Sequence, residues 1–541
     1  MASLAPKSGT LSRQEAAHLL RRCSYNVSRE RIDEFTGKTV YQAVTDLVKV
    51  SLPSIPEPID PETGEHWINS GSPPTSAGFK LRHYVRSWWT HEALLDPTIG
   101  HKMMFFLHTN FVVSANAIDN REYFDYLQLL RHYAIGNYRE LAEKIVVDNS
   151  MLRYLDNTLN NKDNPNENFA REYLELFTIG KGPQIGPGDY TNYTEDDVAA
   201  AARVLTGFKR ARRGDVIDDD TGIPSGYANF NQHDTGKKTF SAAFQNKNIF
   251  GAGSAAGMFD ELSEFIDMIF DQPETARALC RKLYRFFVSR YISDEVEQDF
   301  IIPLADLFIA NQFSLTYILK RLLRSEHFYD ADDSVAKDQV FGSLIKSPLE
   351  LLHGAMSFFK IDIPDPVQNP VDHYDGFYRF SINNVFFPQA GFSIFYPAVV
   401  AGYPAYFQEP EYNRNWFNAT TIIARYTLPR MLLTGRKILS GGTLAGVQLD
   451  IVHFIEQSEH ISNPLLADIL VQELLDYMLV DSPDAERFNY FLNDAFLDGL
   501  PAADWTYEWE AYELTGDATE VRIPLENLVI AIMYSPEYQV F

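Results

Sequence analysis

Cysteine is almost missing from this chain. Its 541 residues include two, Cys23 and Cys280, far apart and each inside an expected helix. No CxxC occurs, which excludes a zinc ribbon or a redox pair, and two buried thiols are expected rather than a disulfide. Basic side chains are also in deficit: 47 Lys and Arg face 73 Asp and Glu, a formal charge of −26. Nucleic acid is excluded as a partner, because phosphate binding needs a basic footprint that releases counterions. Anionic membrane surfaces are disfavoured for the same reason. No run of about 20 apolar residues exists, so no membrane span is expected. The opening MASLAPKSGTLSRQEAAHLL lacks the apolar stretch of about 7–15 residues that a signal peptide needs, and the expected compartment is the cytoplasm. Several catalytic signatures are missing as well. There is no HExxH or HxH, no GxSxG, no GxxxxGK[ST], and no GxGxxG after a strand. The glycines of SGGTLAG at 440–446 have nothing beside them to make a phosphate cradle.

What is present is an ordinary globular composition, 45% apolar and 22% charged, with 38 Phe and 29 Tyr. A chain of this length buries a large core. The pattern is helical from end to end. Ser12-Arg-Gln-Glu15 reads as a capping box, Ser28 as an N-cap, and Thr194-Glu-Asp-Asp197 as an acidic helix start. The fold class expected is mainly α: a large multi-helical globular protein with long irregular loops and a minor β-hairpin insertion. Composition divides it into an N-terminal helical region (1–208), an irregular Gly/Asn/Asp-rich insertion (209–258), a central helical region (259–360), and a C-terminal region of aromatic loop and helices (361–541), which together form one domain or several. Residues 361–376 read as a loop and 378–407 as an irregular aromatic stretch.

The richest segment is MLRYLDNTLNNKDNPNENFAREYLELFTIGKG, Met151–Gly182. Pro165 fits the first helical position, and Gly180 fits just past the end. At about 100° per residue, Phe169, Ala170, Tyr173, Leu176 and Phe177 form an apolar arc. Glu167, Asn168, Arg171, Glu172 and Glu175 lie opposite, beside a loop carrying Asp156, Asn157 and Asn166. Carboxylates sharing a face with an arginine make Glu167 and Glu172 candidate acid–base groups and Asp156, Asn157, Asn166 and Arg171 candidate ligand contacts. A solvated helix with an i,i+4 pair Glu167–Arg171 accounts for the same pattern.

This segment, followed after a short insertion by YTEDDVAAAARVLTGF, resembles the signature of DUF1800, a bacterial family of unestablished function. The likeness runs from AAHLLRRCSY to the region around Trp416. Two departures stand out. The family's "WHxHF" reads FLHTNF here, keeping His108 but placing Asn110 at the second histidine. Its "RxHALGNF" reads RHYAIGNY, with Tyr133 at the histidine. The resemblance makes His108 and Glu167 candidate ligands of a divalent metal, and the departures weaken that idea. Relatives are often encoded beside alkaline-phosphatase-like or sulfatase-like proteins, which implies a protein partner of that type. Relatives also appear with export signals, so export with the signal removed is the alternative location.

NQHDTGKKTF, Asn231–Phe240, is similar to the family's "RHDxGxKTFLG". It supplies His233 and Asp234 as candidate catalytic groups and Lys238 as a ligand contact, since a carboxylate can orient an imidazole and raise its basicity. A loop fastened by hydrogen bonds explains it equally well. Glu15-Ala-Ala-His18 and Glu350-Leu-Leu-His353 have the di-iron step, although Glu15 also belongs to a capping box. Arg277, Arg281, Lys282 and Arg285 form a basic stripe, expected to act within the molecule. In YPAVVAGYPAYF, Tyr403 stands where the family has Trp. Two functions remain in view. One is a scaffold or binding protein whose polar network fixes the fold and which acts with a protein partner. The other is a hydrolase-like or metal-dependent enzyme using a carboxylate/His cleft.

Overall fold

The computed structural model describes residues 2–68, 78–115, 120–332, 339–435, 448–459 and 461–541; the glycine run at 440–446 lies outside them. Helices dominate, and strands among the described residues are confined to two antiparallel ribbons, Phe208–Lys209 with Tyr227–Ala228 and Lys238–Thr239 with Asn248–Ile249. The insertion therefore holds two short ribbons where one hairpin was expected. Among the described residues no helix is long and apolar enough to cross a membrane.

Local rules set most helix starts. Ser12 and Glu15 form the capping box of helix Arg13–Cys23, Thr194 and Asp197 that of Glu195–Val204, and Ser347 and Glu350 that of Pro348–Phe358. Each pair satisfies two N–H groups that the first turn leaves open. Both Glu-x-x-His steps are thereby explained. Glu15 accepts from Ser12 N at 2.8 Å and Glu350 from Ser347 N at 2.7 Å, and Glu350 also pairs with Lys102 at 2.5 Å.

The ends of the chain pack together. Arg21 donates to the carbonyls of Tyr477 and Leu479, Arg22 to that of Val340, and Lys7 N to Arg324 O. One apolar cluster runs through every helical region, from Leu11 and Leu19 through Phe105, Leu152 and Leu283 to Leu528 and Ile532. Both cysteines are buried free thiols.

Two expectations for the C-terminal third are corrected. Residues Asp372–Phe386 form a π-helical run that continues into Phe387–Gln389, within segments expected as loop and irregular stretch. The wider turn lacks the 3.6-residue period by which an α-helix is read from sequence. Helix Ala502–Thr515 had no expectation at all; it buries only Trp505 and Trp509 along its length, too sparse a stripe to register.

Candidate functional site

The signature starts from Asp148, whose side chain accepts from Met151 N and caps helix Asn149–Tyr154. Asp156 follows in the left-handed region (φ 58°), exposed to solvent, a conformation that Asp and Asn enter more readily than most residues. Asn157 and Asn160 are fully buried. Asn160 Nδ2 donates to Asn157 Oδ1 and to Ala202 O, and its Oδ1 accepts from Asn166 N. Asn161 Oδ1 accepts from the N–H groups of Asp163 and Asn164. Asn166 is the N-cap of helix Glu167–Glu172. Pro165 therefore precedes the cap instead of opening the helix, because Asn166 supplies the capping oxygen.

Arg171 is held mainly by Glu195, with both oxygens at 2.7 Å, and more loosely by Glu167 at 3.3 Å. The Glu195 hydrogen bonds push the guanidinium pKa up. Both partners are substantially exposed, so the expected contribution is small. Glu167→Ala and Arg171→Gln should each lower stability by less than about 1 kcal/mol, read as the shift in urea midpoint. Beyond Glu172 the helix widens into a π-turn, Tyr173–Phe177. The wider turn rotates Leu174 into the core, fully buried, and leaves Leu176 only partly covered. This reverses the order expected from a regular wheel. Glu172 is half-buried, and burial followed by the charge of Glu175 raises its pKa. Glu175 is itself occupied by Lys181 and by the Tyr193 hydroxyl.

The second polar group is sealed. His233 Nε2 lies 2.9 Å from Glu261 Oε2, while Nδ1 lies 2.9 Å from Thr206 O. Lys238 Nζ pairs with Glu261 Oε1 at 2.5 Å and donates to Asp234 O. Ala252 N also donates to Glu261, at 2.7 Å. The side chains of His233, Lys238 and Glu261 are at most 1% exposed. Asp234 turns away to a bidentate pair with Arg203 at 2.7 and 3.1 Å, which lowers its carboxyl pKa against a counteracting burial. Glu261 was not anticipated from sequence. Its signal is a lone acid on the inward arc of helix Ala255–Phe270, between buried Met258, Leu262 and Phe265.

His108 sits elsewhere, 0% exposed, with Nδ1 3.0 Å from the Tyr126 hydroxyl, which donates to Phe111 O. Phe395 meets its ring edge-on at 4.9 Å. Burial pushes its pKa down to about 3, leaving a neutral core imidazole. Glu167, with its side chain 48% exposed, is not brought to it. Among the described residues no group of three or more His, Cys, Asp or Glu is arranged to hold a metal ion. The candidate residues thus divide into an exposed helix start, a sealed ion cluster and a core histidine; they do not meet around one cavity.

Several motifs do meet, at a small cleft of about 90 Å³ partly open to solvent. The π-turn contributes Glu175 and Leu176, the FLHTNF segment Asn110, the basic stripe Lys282 and Arg285, and the aromatic stretch Val400 through Phe407. Asn110 Nδ2 donates back to Phe106 O of its own helix. Lys282 Nζ donates to Leu176 O, a carbonyl at the π-turn, at 2.5 Å. Burial, then Arg285, lowers the Lys282 pKa to about 8. Arg281 beside them is taken by Glu297 and Glu274, the intramolecular role expected for the stripe.

A family model described as "Protein of unknown function (DUF1800)" matches residues 18–540. No curated protein and no solved structure matches the chain.

Proposed function

The chain belongs to the DUF1800 family, and from that premise we propose that it is a binding protein, not a catalyst, and that it presents the loop ahead of its signature helix to a protein partner. The observation that carries this reading is the split within the signature. Lys162, Asp163, Asn164, Pro165, Glu167 and Asn168 are exposed, while the side chains beneath them are committed to structural bonds. Asn160 and Asn161 pin the loop from below, and Lys162 N ties it to Gln232 O of the insertion. A loop fixed before contact loses little conformational entropy on binding, and polar residues displayed on such loops are more often functional than those packed in a core. The alternative, acid–base or metal catalysis by Glu167, Glu172 and His233–Asp234, is less well supported, because those groups are dispersed and His233 is closed to solvent.

The partner type is an alkaline-phosphatase-like or sulfatase-like protein, as the resemblance implies. The test mixes the purified chain with a protein of that type and measures complex mass by light scattering after size exclusion. A second sample carries Asp163→Ala, Glu167→Ala and Asn168→Ala together. The wild type is expected to form a complex and the triple variant to lose it, with the thermal midpoint nearly unchanged because exposed substitutions rarely exceed about 0.5 kcal/mol each. Absence of a wild-type complex, or equal binding by the variant, removes the reading.

A further inference from the structure

The cleft at the π-turn gathers two cations, and Arg285 feels Glu409 and Glu297 only through space. Glu175, its only carboxylate, is already matched by Lys181. Lys282 contacts only a carbonyl there. Arg285 stacks its guanidinium 4.4 Å from the Tyr412 ring centroid, and its buried Nε has no hydrogen-bond partner. No ion pair engages Arg285 among the described residues. Two cations therefore share one small cavity in a chain of formal charge −26. The facing wall is apolar: Phe106, Val112, Phe286, Val400 and Phe407.

We propose that this cleft binds a small amphipathic carboxylate, its anion on Arg285 and Lys282 and its apolar body against Phe106, Phe286 and Phe407. The guanidinium fork presents parallel N–H donors that match a carboxylate in two-point geometry, and its stacking on Tyr412 fixes the plane of the fork. Lys282 adds a compact charge, anchored to the π-turn. Small-molecule sites combine an apolar lining with a few convergent polar groups, and this cleft has that make-up. The site needs nothing from the exposed loop, so it stands whether or not that loop docks a partner.

The experiment is saturation-transfer NMR on the full chain with 3-phenylpropionate, and in parallel with the uncharged 3-phenylpropanamide, which has the same body without the anion. The acid is expected to receive saturation at its ring protons and the amide to bind at least about tenfold more weakly, the loss expected when a charge-assisted two-point contact is removed. Arg285→Gln is expected to weaken the acid by a similar factor. Ala401→Trp, which places a bulky ring in the cleft and leaves both cations in the sequence, is expected to abolish the signal, and it decides the matter where Arg285→Gln lowers the thermal midpoint. Equal binding of acid and amide, acid binding unchanged in either folded variant, or no binding of the acid to the wild type would overturn the proposal.

Discussion

Glu261→Ala lowers the stability of the chain by about 3–5 kcal/mol, the expected result of removing one partner from a buried ion cluster. Glu261 is the hub of that cluster. It accepts from Lys238, from Ala252 N and at His233 Nε2, and every one of these groups is closed to water. The loss of the carboxylate leaves an ammonium with only the Asp234 carbonyl and a backbone N–H with nothing. A buried donor without an acceptor costs its full desolvation, and a buried charge costs more. The measurement is the urea midpoint, with limited proteolysis mapping where the chain opens. Cleavage should appear first in 231–252, because Lys238 and Ala252 tie that segment onto helix Ala255–Phe270. The paired change Glu261→Met with Lys238→Met separates charge from architecture. Replacing both ions by apolar groups of similar length removes the uncompensated charge, so the double variant should recover a large part of the loss. If Glu261→Ala unfolds at the wild-type midpoint, the cluster contributes nothing and its burial needs another explanation.

The same cluster marks how far sequence carries. His233, Asp234 and Lys238 were visible because they are neighbours in one segment, but their partners lie elsewhere: Glu261 on the following helix, Arg203 on the preceding one and Thr206 just past its end. Helix starts were legible for the opposite reason. A helix start spans four residues, so Ser12 with Glu15 and the acidic first turn after Thr194 declare themselves locally. The π-turn at Tyr173–Phe177 was not legible, since a wheel of about 100° per residue assumes the period that the turn breaks; Leu174 and Leu176 exchanged places as a consequence. The cleft was hidden altogether. Asn110, Leu176, Lys282 and Phe407 each belonged to a motif that drew attention by itself, yet only tertiary packing sets them around one space. That Arg281 pairs with Glu297 while Arg285 makes no ion pair among the described residues cannot be read from a stripe in which the two look equivalent.

Asp148→Asn should leave the chain nearly as stable as the wild type below about pH 4 and make it more stable by several kcal/mol at pH 9. Asp148 is 3% exposed. Burial, reinforced by the charges of Asp125 and Glu122, pushes its carboxyl up from 3.8 to about 8. Arg213 and Arg210 pair with those two neighbours at 2.6 Å. The folded chain thus holds a proton on Asp148 that the unfolded chain releases above pH 4. A folded pKa above the unfolded one gives a stabilisation that is complete below about pH 4. It declines by about 1.4 kcal/mol per pH unit through the window between the two pKa values, and is gone above about pH 8. Asparagine cannot ionise, so it escapes that decline. Its side-chain oxygen can still accept from Met151 N, the cap of helix Asn149–Tyr154. The wild-type urea midpoint should therefore fall between pH 5 and pH 9 by more than that of the variant, and the two curves should diverge with rising pH. Parallel curves would mean that Asp148 is already ionised in the folded chain at pH 5. The carboxylate would then need a cation beside it, for which Lys144, at the same small pocket but bound to Asp218 and Asp220, is the nearest candidate to vary next.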